Sequence, residues 1–439
     1  MPNKILIKKT LNPFNKKIEI EGDKSLSIRW ALLASQSLGK STSSNLLKSE
    51  DVLNTLSCLK KLGVKINLTK NKCIIYGIGI NGFSNTKKKI ILNAGNSGTL
   101  ARLIMGLLIH SKNEIKLIGD KSLSKRDFER VIKPLKKFGA KFKSNSGRLP
   151  ITIVGTNNPK PIKFIEKIGS AQCKSAVMLA ALNTKGNTII KAKKSRNHSE
   201  LLFKYLNIPI EIKNENKFDL IKVNGGFQFK SLNYKIPSDI SSAAFFIILT
   251  TLSEKSKLVI KNVNVNPTRT GILKILKKMG VNIILRKIKI YKGEKIADIH
   301  VKSTKKIKSI NCPTNLNSSA IDEFLIIFLL AAKAEGISYF KNLSELNQKE
   351  SPRLIWGSKI LKKMGIKNLV TKDSIKIYGN PYLKITNKIV IKNFLKDHRV
   401  FMTSVIAALS FGGTWKIYDK DSTNTSFPNF LKIINELNK

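Results

Sequence analysis

The sequence predicts an α/β protein of two similar domains, each of three α/β repeat units with buried parallel helices and sheets outside. Three observations lead there. The chain has 439 residues, more than the ~250–300 at which a single core stops growing. A Leu-Lys-Lys-Leu-Gly motif recurs along it. Six apolar helices run in step with that motif.

The motif appears at Leu59–Val64, Leu135–Ala140, Leu276–Val281 and Leu361–Ile366, with a degenerate copy at Leu202–Ile208. The chain stops near a sixth, Ile433–Asn438. The intervals between Gly63, Gly139, Asn207, Gly280 and Gly365 are 76, 68, 73 and 85 residues. Each copy reads as the last turn of a helix, a Gly or Asn able to take the left-handed cap conformation, and then a strand. The apolar helices start near Ser25, Ser97, Ser170, Asp239, Asp322 and Asp397. They are hydrophobic nearly all round, which predicts burial inside each unit. Stretches such as Lys89–Asn93 and Lys257–Lys261 read as strands between them. A unit of ~70 residues is too long for a solenoid repeat, so three plus three units in two domains is the simplest arrangement.

Composition fits a globular protein, with 42% apolar and 25% charged residues. The 80 basic residues against 28 acidic ones give a formal charge of +52, which raises nucleic acid and anionic small molecules as partners. The excess is scattered Lys, as in Lys87-Lys88-Lys89, Lys136-Lys137 and Lys277-Lys278. With no basic tail, no aromatic RNA-binding stretch and no zinc-finger spacing, it reads as solvated faces, and no nucleic acid is expected. Cys58, Cys73, Cys173 and Cys312 lie far apart and read as reduced, buried thiols of a cytoplasmic protein. Residues 1–15 hold no apolar segment, and the greasy stretch Phe324–Ala332 is far short of the ~20 residues a bilayer needs. No membrane partner is expected.

A helix start carries unsatisfied N–H groups and a partial positive charge, which suits phosphate or carboxylate. Six such starts recur at one phase of the repeat. Ser, Thr and Asp there also serve as ordinary caps, each worth about 1 kcal/mol. The cations beside them favour anion binding: Lys24 and Arg29, Arg102, Lys174, Lys349 and Arg353, and Arg399.

These residues lie in motifs that resemble the 5-enolpyruvylshikimate-3-phosphate synthases. The motifs are Gly22-Asp-Lys24-Ser25-Leu-Ser27-Ile-Arg29, Gly95-Asn96-Ser-Gly98-Thr99-Leu-Ala-Arg102, Arg148-Leu-Pro-Ile, Ser170-Ala-Gln172-Cys-Lys174-Ser175, Asn266-Pro-Thr-Arg269-Thr-Gly271, Lys349-Glu350-Ser-Pro-Arg353 and Asp397-His398-Arg399. The resemblance covers nearly the whole chain in order, and its opening resembles the branch with some glyphosate-tolerant bacterial enzymes. It implies an inverse α/β arrangement of enolpyruvyl transferase type. Residues 1–20 and 236–439 would form one domain and 21–235 the other, closing on shikimate 3-phosphate and phosphoenolpyruvate. It implies a transferase of aromatic amino acid biosynthesis that needs no metal or organic cofactor, and a monomer is expected.

The resemblance also implies roles. Lys24, Arg126, Arg353 and Arg399 would hold phosphoenolpyruvate, with Asn96, Gly98 and Gln172 lining its pocket. Lys24, Ser25, Arg29, Ser170, Ala171 through its backbone, Gln172, Arg196, Asp322 and Lys349 would bind shikimate 3-phosphate. Asp322 and Glu350, with Lys24, would carry the proton transfers. Departures from the family pattern are Pro352 in place of an Asp, Phe401 in place of a small residue, and Asp127 in place of a Pro. Pro352 is expected to shift Arg353. Some members carry a Lys near the C-terminal Ser-Phe-Pro, which here reads Asn424-Thr425-Ser426-Phe427-Pro428. Gly98 lacks the methyl that crowds glyphosate in tolerant members, so inhibition is expected. His398 reads as orienting its neighbours Asp397 and Arg399.

Two rivals differ in sequence. A UDP-N-acetylglucosamine enolpyruvyl transferase typically opens with Lys-Asn and carries a loop Cys, whereas this chain has Lys24-Ser25 and no Cys at 110–130. An RNA 3′-phosphate cyclase needs a nucleotidylated His, and His110, His198, His300 and His398 stand in no such motif. A non-catalytic basic protein bound to nucleic acid is a third reading, and the intact Asp322, Glu350, Lys24 and Arg353 weigh against it.

Overall fold

The computed structural model describes residues 3–83 and 89–439, so Lys87 and Lys88 of the basic run lie outside the described residues. The chain divides into two compact units. The first comprises Met1–Glu21, Pro237–Ile290 and Lys295–Lys439; the second comprises Gly22–Ile236 with Tyr291–Glu294.

The second unit repeats one pattern: a buried helix, a strand, an outer helix and a β-hairpin. Its buried helices are Lys24–Gln36, Gly98–Leu107 and Ala171–Leu182, and its outer helices include Glu50–Lys61, Glu129–Lys137 and His198–Tyr205. Each repeat carries a four-stranded sheet. In the third, Gly186–Lys193 pairs antiparallel with Phe218–Gly225, which pairs with Ile210–Glu215. That register stacks Ile190, Ile221 and Ile212 in one row, the side-chain contact that stabilises a sheet. The buried helices pack closely where small residues meet. A Cβ added at Gly106 would lie 2.2 Å from the Ala176 carbonyl oxygen, so only Gly fits there.

The first unit has the same helix pairs, with buried helices Ile240–Leu252, Phe324–Lys333 and His398–Phe411 and outer helices Gly271–Lys278, Arg353–Lys363 and Phe430–Leu437, but a hairpin follows only the first two outer helices. All residues from Ile240 to Thr251 are buried, which accounts for a helix with no polar face. The N-terminal segment supplies two strands to this unit. Lys4–Ile7 pairs antiparallel with Gly412–Tyr418, and Asn15–Glu19 pairs parallel with Lys257–Asn264.

The repeat motif forms the helix ends as its sequence requires. Gly63, Gly139, Asn207, Gly280 and Gly365 have φ of 92°, 106°, 54°, 83° and 79°, the left-handed cap geometry that Gly and Asn tolerate. The sixth copy differs, because Asn438 stays right-handed at φ −87°. Two of the six expected helix starts also differ. The first is capped by Asp23, whose carboxylate accepts from the Leu26 N–H, so Ser25 lies inside the helix. Asp322 sits in a turn, and the helix Phe324–Lys333 follows Glu323, which makes no side-chain cap.

Among the described residues, no helix is long and apolar enough to cross a membrane. Lys89, Lys136, Lys137, Lys277 and Lys278 are all exposed, in keeping with solvated faces.

Candidate active site

In the second unit the helix Gly98–Leu107 starts at Ser97, whose hydroxyl accepts from the Leu100 N–H at 3.2 Å. Around this start the structure gathers Asn96, Gly98, Arg126 and Gln172. Gln172 Nε2 donates to Thr99 Oγ1 at 2.8 Å, and its Oε1 accepts from Arg102 Nη1 at 3.1 Å. Arg126 Nη2 donates to Asn96 Oδ1 at 3.3 Å, and Asn96 Nδ2 donates to Asp120 at 2.6 Å. A Cβ built on Gly98 would stand 2.8 Å from Arg102 Nη1 and 3.1 Å from Arg126 Nη1. Two guanidiniums therefore lie over one helix start. Burial, then the like charges of Arg126 and Arg130, push Arg102 down to about 10. It stays charged at neutral pH, at a cost that a bound anion would relieve.

A second group surrounds Arg29, which is buried on helix Lys24–Gln36. Its Nε donates to Ser199 Oγ at 2.9 Å, its Nη2 to Ser175 Oγ at 3.0 Å and its Nη1 to the Ser25 carbonyl at 3.2 Å. Beside it Lys174 and Glu200 form a buried ion pair at 2.5 Å. Lys24 Nζ lies 3.0 Å from Asp51, a carboxylate in the first turn of helix Glu50–Lys61. Ser170 caps the helix Ala171–Leu182 by accepting from the Cys173 N–H, and Ser170, Ala171 and Gln172 are half-buried there. Arg196 is half-buried on the loop before helix His198–Tyr205.

In the first unit Asp322, Glu350 and Asp397 gather around Arg353. Its Nε and Nη2 hold both oxygens of Asp397 at 2.9 and 3.2 Å, and Nη2 also meets Glu350 at 2.5 Å. Nη1 lies 3.6 Å from Asp322, which Lys349 reaches at 3.3 Å. Burial alone would lower the charge state of Arg353, but Asp397, Glu350 and Asp322 outweigh it and hold the guanidinium above its ordinary range. Asp397 is fully buried; besides Arg353 it accepts from Ser351 and caps helix His398–Phe411 through the Arg399 N–H. His398 does not orient its neighbours in sequence. Its Nδ1 lies 3.1 Å from Glu350. Glu350, Asp397 and His398 have the donor types of a metal site within 4.8 Å, yet the Arg353 cation already binds both carboxylates.

Arg399 Nη1 donates to the Asp322 carbonyl at 2.6 Å and lies 3.9 Å from the Glu323 carboxylate. The departures each find a place. Phe401 is buried in the core. Asp127 Oδ1 accepts from the Glu129 N–H at 2.7 Å, and its carbonyl accepts from Arg102. Pro352 offers no cap to helix Arg353–Lys363, and Asn347 Oδ1 accepts from the Leu354 N–H instead, at 3.2 Å. Asp51, Thr99, Asp120, Ser199, Ser241 and Glu323 were not legible as site residues. They lie outside the motifs or look like ordinary polar positions within them.

Comparison with known proteins agrees with this geometry. A family model described as EPSP synthase (3-phosphoshikimate 1-carboxyvinyltransferase) matches residues 8–434. A protein named 3-phosphoshikimate 1-carboxyvinyltransferase from Vesicomyosocius okutanii subsp. Calyptogena okutanii (strain HA) is 41% identical over 431 residues, covering 97% of each chain. One of the same name from Ruthia magnifica subsp. Calyptogena magnifica is 41% identical over 436 residues, covering 99% of this chain and 98% of its own. A solved EPSP synthase from Acinetobacter baumannii superposes with a TM-score of 0.88 at 34% identity, over 99% of this chain and 98% of that one. The enolpyruvyl transferase NikO from Streptomyces tendae shares the fold alone, with a TM-score of 0.77 at 11% identity over 100% and 98% of the two chains. A full-length match, relatives above a third identical and a common fold leave one assignment: this chain belongs to the EPSP synthase family.

Proposed function

We propose that this protein transfers the enolpyruvyl group of phosphoenolpyruvate to the 5-hydroxyl of shikimate 3-phosphate, releasing phosphate. The observation that carries the reading is the grouping of Asp322 and Glu350 about Arg353, with Lys349, His398 and Arg399 adjoining. The reaction needs two proton transfers beside strongly anionic substrates, and these side chains are carboxylates set among cations.

A carboxylate takes the proton from the 5-hydroxyl as its oxygen bonds to C2 of phosphoenolpyruvate. A second group delivers a proton to the methylene carbon C3, giving a tetrahedral intermediate. Loss of a C3 proton then restores the double bond as the C2–O bond to phosphate breaks. Asp322 and Glu350, with Lys24, are assigned these transfers, which side chains alone can perform. Arg126, Arg353 and Arg399 are assigned to the phosphate and carboxylate of phosphoenolpyruvate, and Asn96, Gly98 and Gln172 are assigned to the same substrate. Ser25, Arg29, Ser170, Ala171, Gln172, Arg196 and Lys349 are assigned to shikimate 3-phosphate. Four free, buried cysteines support a reducing, cytoplasmic setting.

The test is phosphate release from purified protein given phosphoenolpyruvate with and without shikimate 3-phosphate. Release is expected only with both substrates. It should fall by about 10²–10⁴-fold, the usual worth of an acid–base group, in Glu350→Gln and Asp322→Ala. Release with UDP-N-acetylglucosamine in place of shikimate 3-phosphate would reassign the acceptor. Release with neither would overturn the reading.

A further inference from the structure

The guanidiniums of the first unit are not equivalent. Arg353 has all three nitrogens directed at Asp397, Glu350 and Asp322. Arg399 has only Nη1 engaged among the described residues, by the Asp322 carbonyl and the Glu323 carboxylate. Its Nε–Nη2 edge is the pair of parallel donors that matches a carboxylate or phosphate. Whether that edge is well aimed depends on what fixes Nη1.

Glu323 is the residue that calls for explanation. Its side chain has no exposed surface, and burying a carboxylate costs several kcal/mol unless it is paired. It stands at the N-cap of helix Phe324–Lys333, yet its side chain does not cap that helix. One oxygen instead accepts from the Ser241 hydroxyl, at the start of helix Ile240–Leu252. Ser241 Oγ in turn accepts from Arg269 Nη2 at 2.8 Å, and Arg269 also reaches Asp239 at 3.4 Å. The same Glu323 oxygen is the one that faces Arg399. One carboxylate is therefore shared between two cations, held to buried Arg269 through a hydroxyl and presented to the partly open Arg399.

We propose that Glu323 is a positioning residue for Arg399. Anchored through Ser241 to Arg269, its carboxylate lies 3.9 Å from Nη1 and, together with the Asp322 carbonyl that accepts from Nη1 at 2.6 Å, holds that nitrogen so that the Nε–Nη2 edge is preset for an oxyanion of phosphoenolpyruvate. Presetting lowers the cost of ordering a long side chain on binding. The proposal rests on the phosphoenolpyruvate reading above. A purely structural role for the same network would lower stability without favouring one substrate over the other.

The experiment compares KM for each substrate, kcat and thermal midpoint in the unaltered enzyme, Glu323→Gln, Arg399→Lys and the double variant. Glu323→Gln should raise the KM for phosphoenolpyruvate about three- to fivefold, the scale of an ion pair beyond hydrogen-bond distance, with the KM for shikimate 3-phosphate within about twofold. In the Arg399→Lys background the same change should add little, because residues acting through one another are not additive. Equal effects on both substrates, or effects that multiply in the double variant, would overturn the positioning role while the functional reading stands. No turnover by the unaltered enzyme would overturn both. If Glu323→Gln does not fold, Ser241→Ala, which cuts the link to Arg269, should raise the phosphoenolpyruvate KM in the same direction. An unchanged KM there would also overturn the proposal.

Discussion

At the residue scale, Gly98 is the position where the least side chain has the greatest effect. An Ala there would place its Cβ 2.8 and 3.1 Å from the ends of Arg102 and Arg126. Both are tips of flexible side chains, so the helix survives and the guanidiniums move. We expect Gly98→Ala to keep its thermal midpoint and raise the phosphoenolpyruvate KM several-fold, on the order of 1 kcal/mol. Glyphosate should inhibit the unaltered enzyme and inhibit the Ala variant more weakly. An inhibition constant far above the phosphoenolpyruvate KM in the unaltered enzyme would refute the role given to Gly98. The cysteines need no function at this scale. Burial pushes Cys58 and Cys312 up to about 11 and Cys73 and Cys173 up to about 12, which leaves little thiolate at neutral pH.

At the element scale, the helix Arg353–Lys363 tests how a family position is replaced. Pro352 fixes the entry to the helix but has no side-chain acceptor, and Asn347, six residues before Arg353, supplies one from a neighbouring turn. Asn347→Ala should lower stability by about 1 kcal/mol in urea unfolding, the usual worth of a helix cap. Pro352→Ser, which restores an internal cap, should recover most of that loss. An Asn347→Ala variant as stable as its parent would mean the bond carries no weight. Helix ends were more legible than helix starts. A Gly after Leu-Lys-Lys-Leu has one local solution, a left-handed cap, and the structure adopts it at Gly63, Gly139, Gly280 and Gly365. A carboxylate at a helix start has two uses, the cap or a distant cation. Asp239 and Asp397 do both, whereas Asp322, in the turn ahead of its helix, faces Lys349 and Arg353.

At the scale of the whole molecule the formal charge of +52 dominates. Like charges on exposed faces repel, and raising salt from 0.01 to 0.1 M shortens the screening length from about 30 to about 10 Å. The thermal midpoint should therefore rise over that range in a non-binding salt such as sodium chloride. A flat or falling midpoint would mean the lysines are spaced too widely to repel. Phosphate, which fits the cationic helix starts, should raise it further at equal ionic strength. What the sequence by itself determined was the repeat and the two-domain α/β class, and its motifs carried the resemblance to the family. The first two are written in local patterns, helix periodicity and cap residues at a regular spacing, because each is settled within a few turns of chain. Only the tertiary structure decided which partners those residues take. Arg353 meets Asp397 across 44 positions, Glu323 meets Ser241 across 82 and Arg29 meets Ser199 across 170. No periodicity links such pairs, because their proximity arises only when separate repeat units pack around a common core.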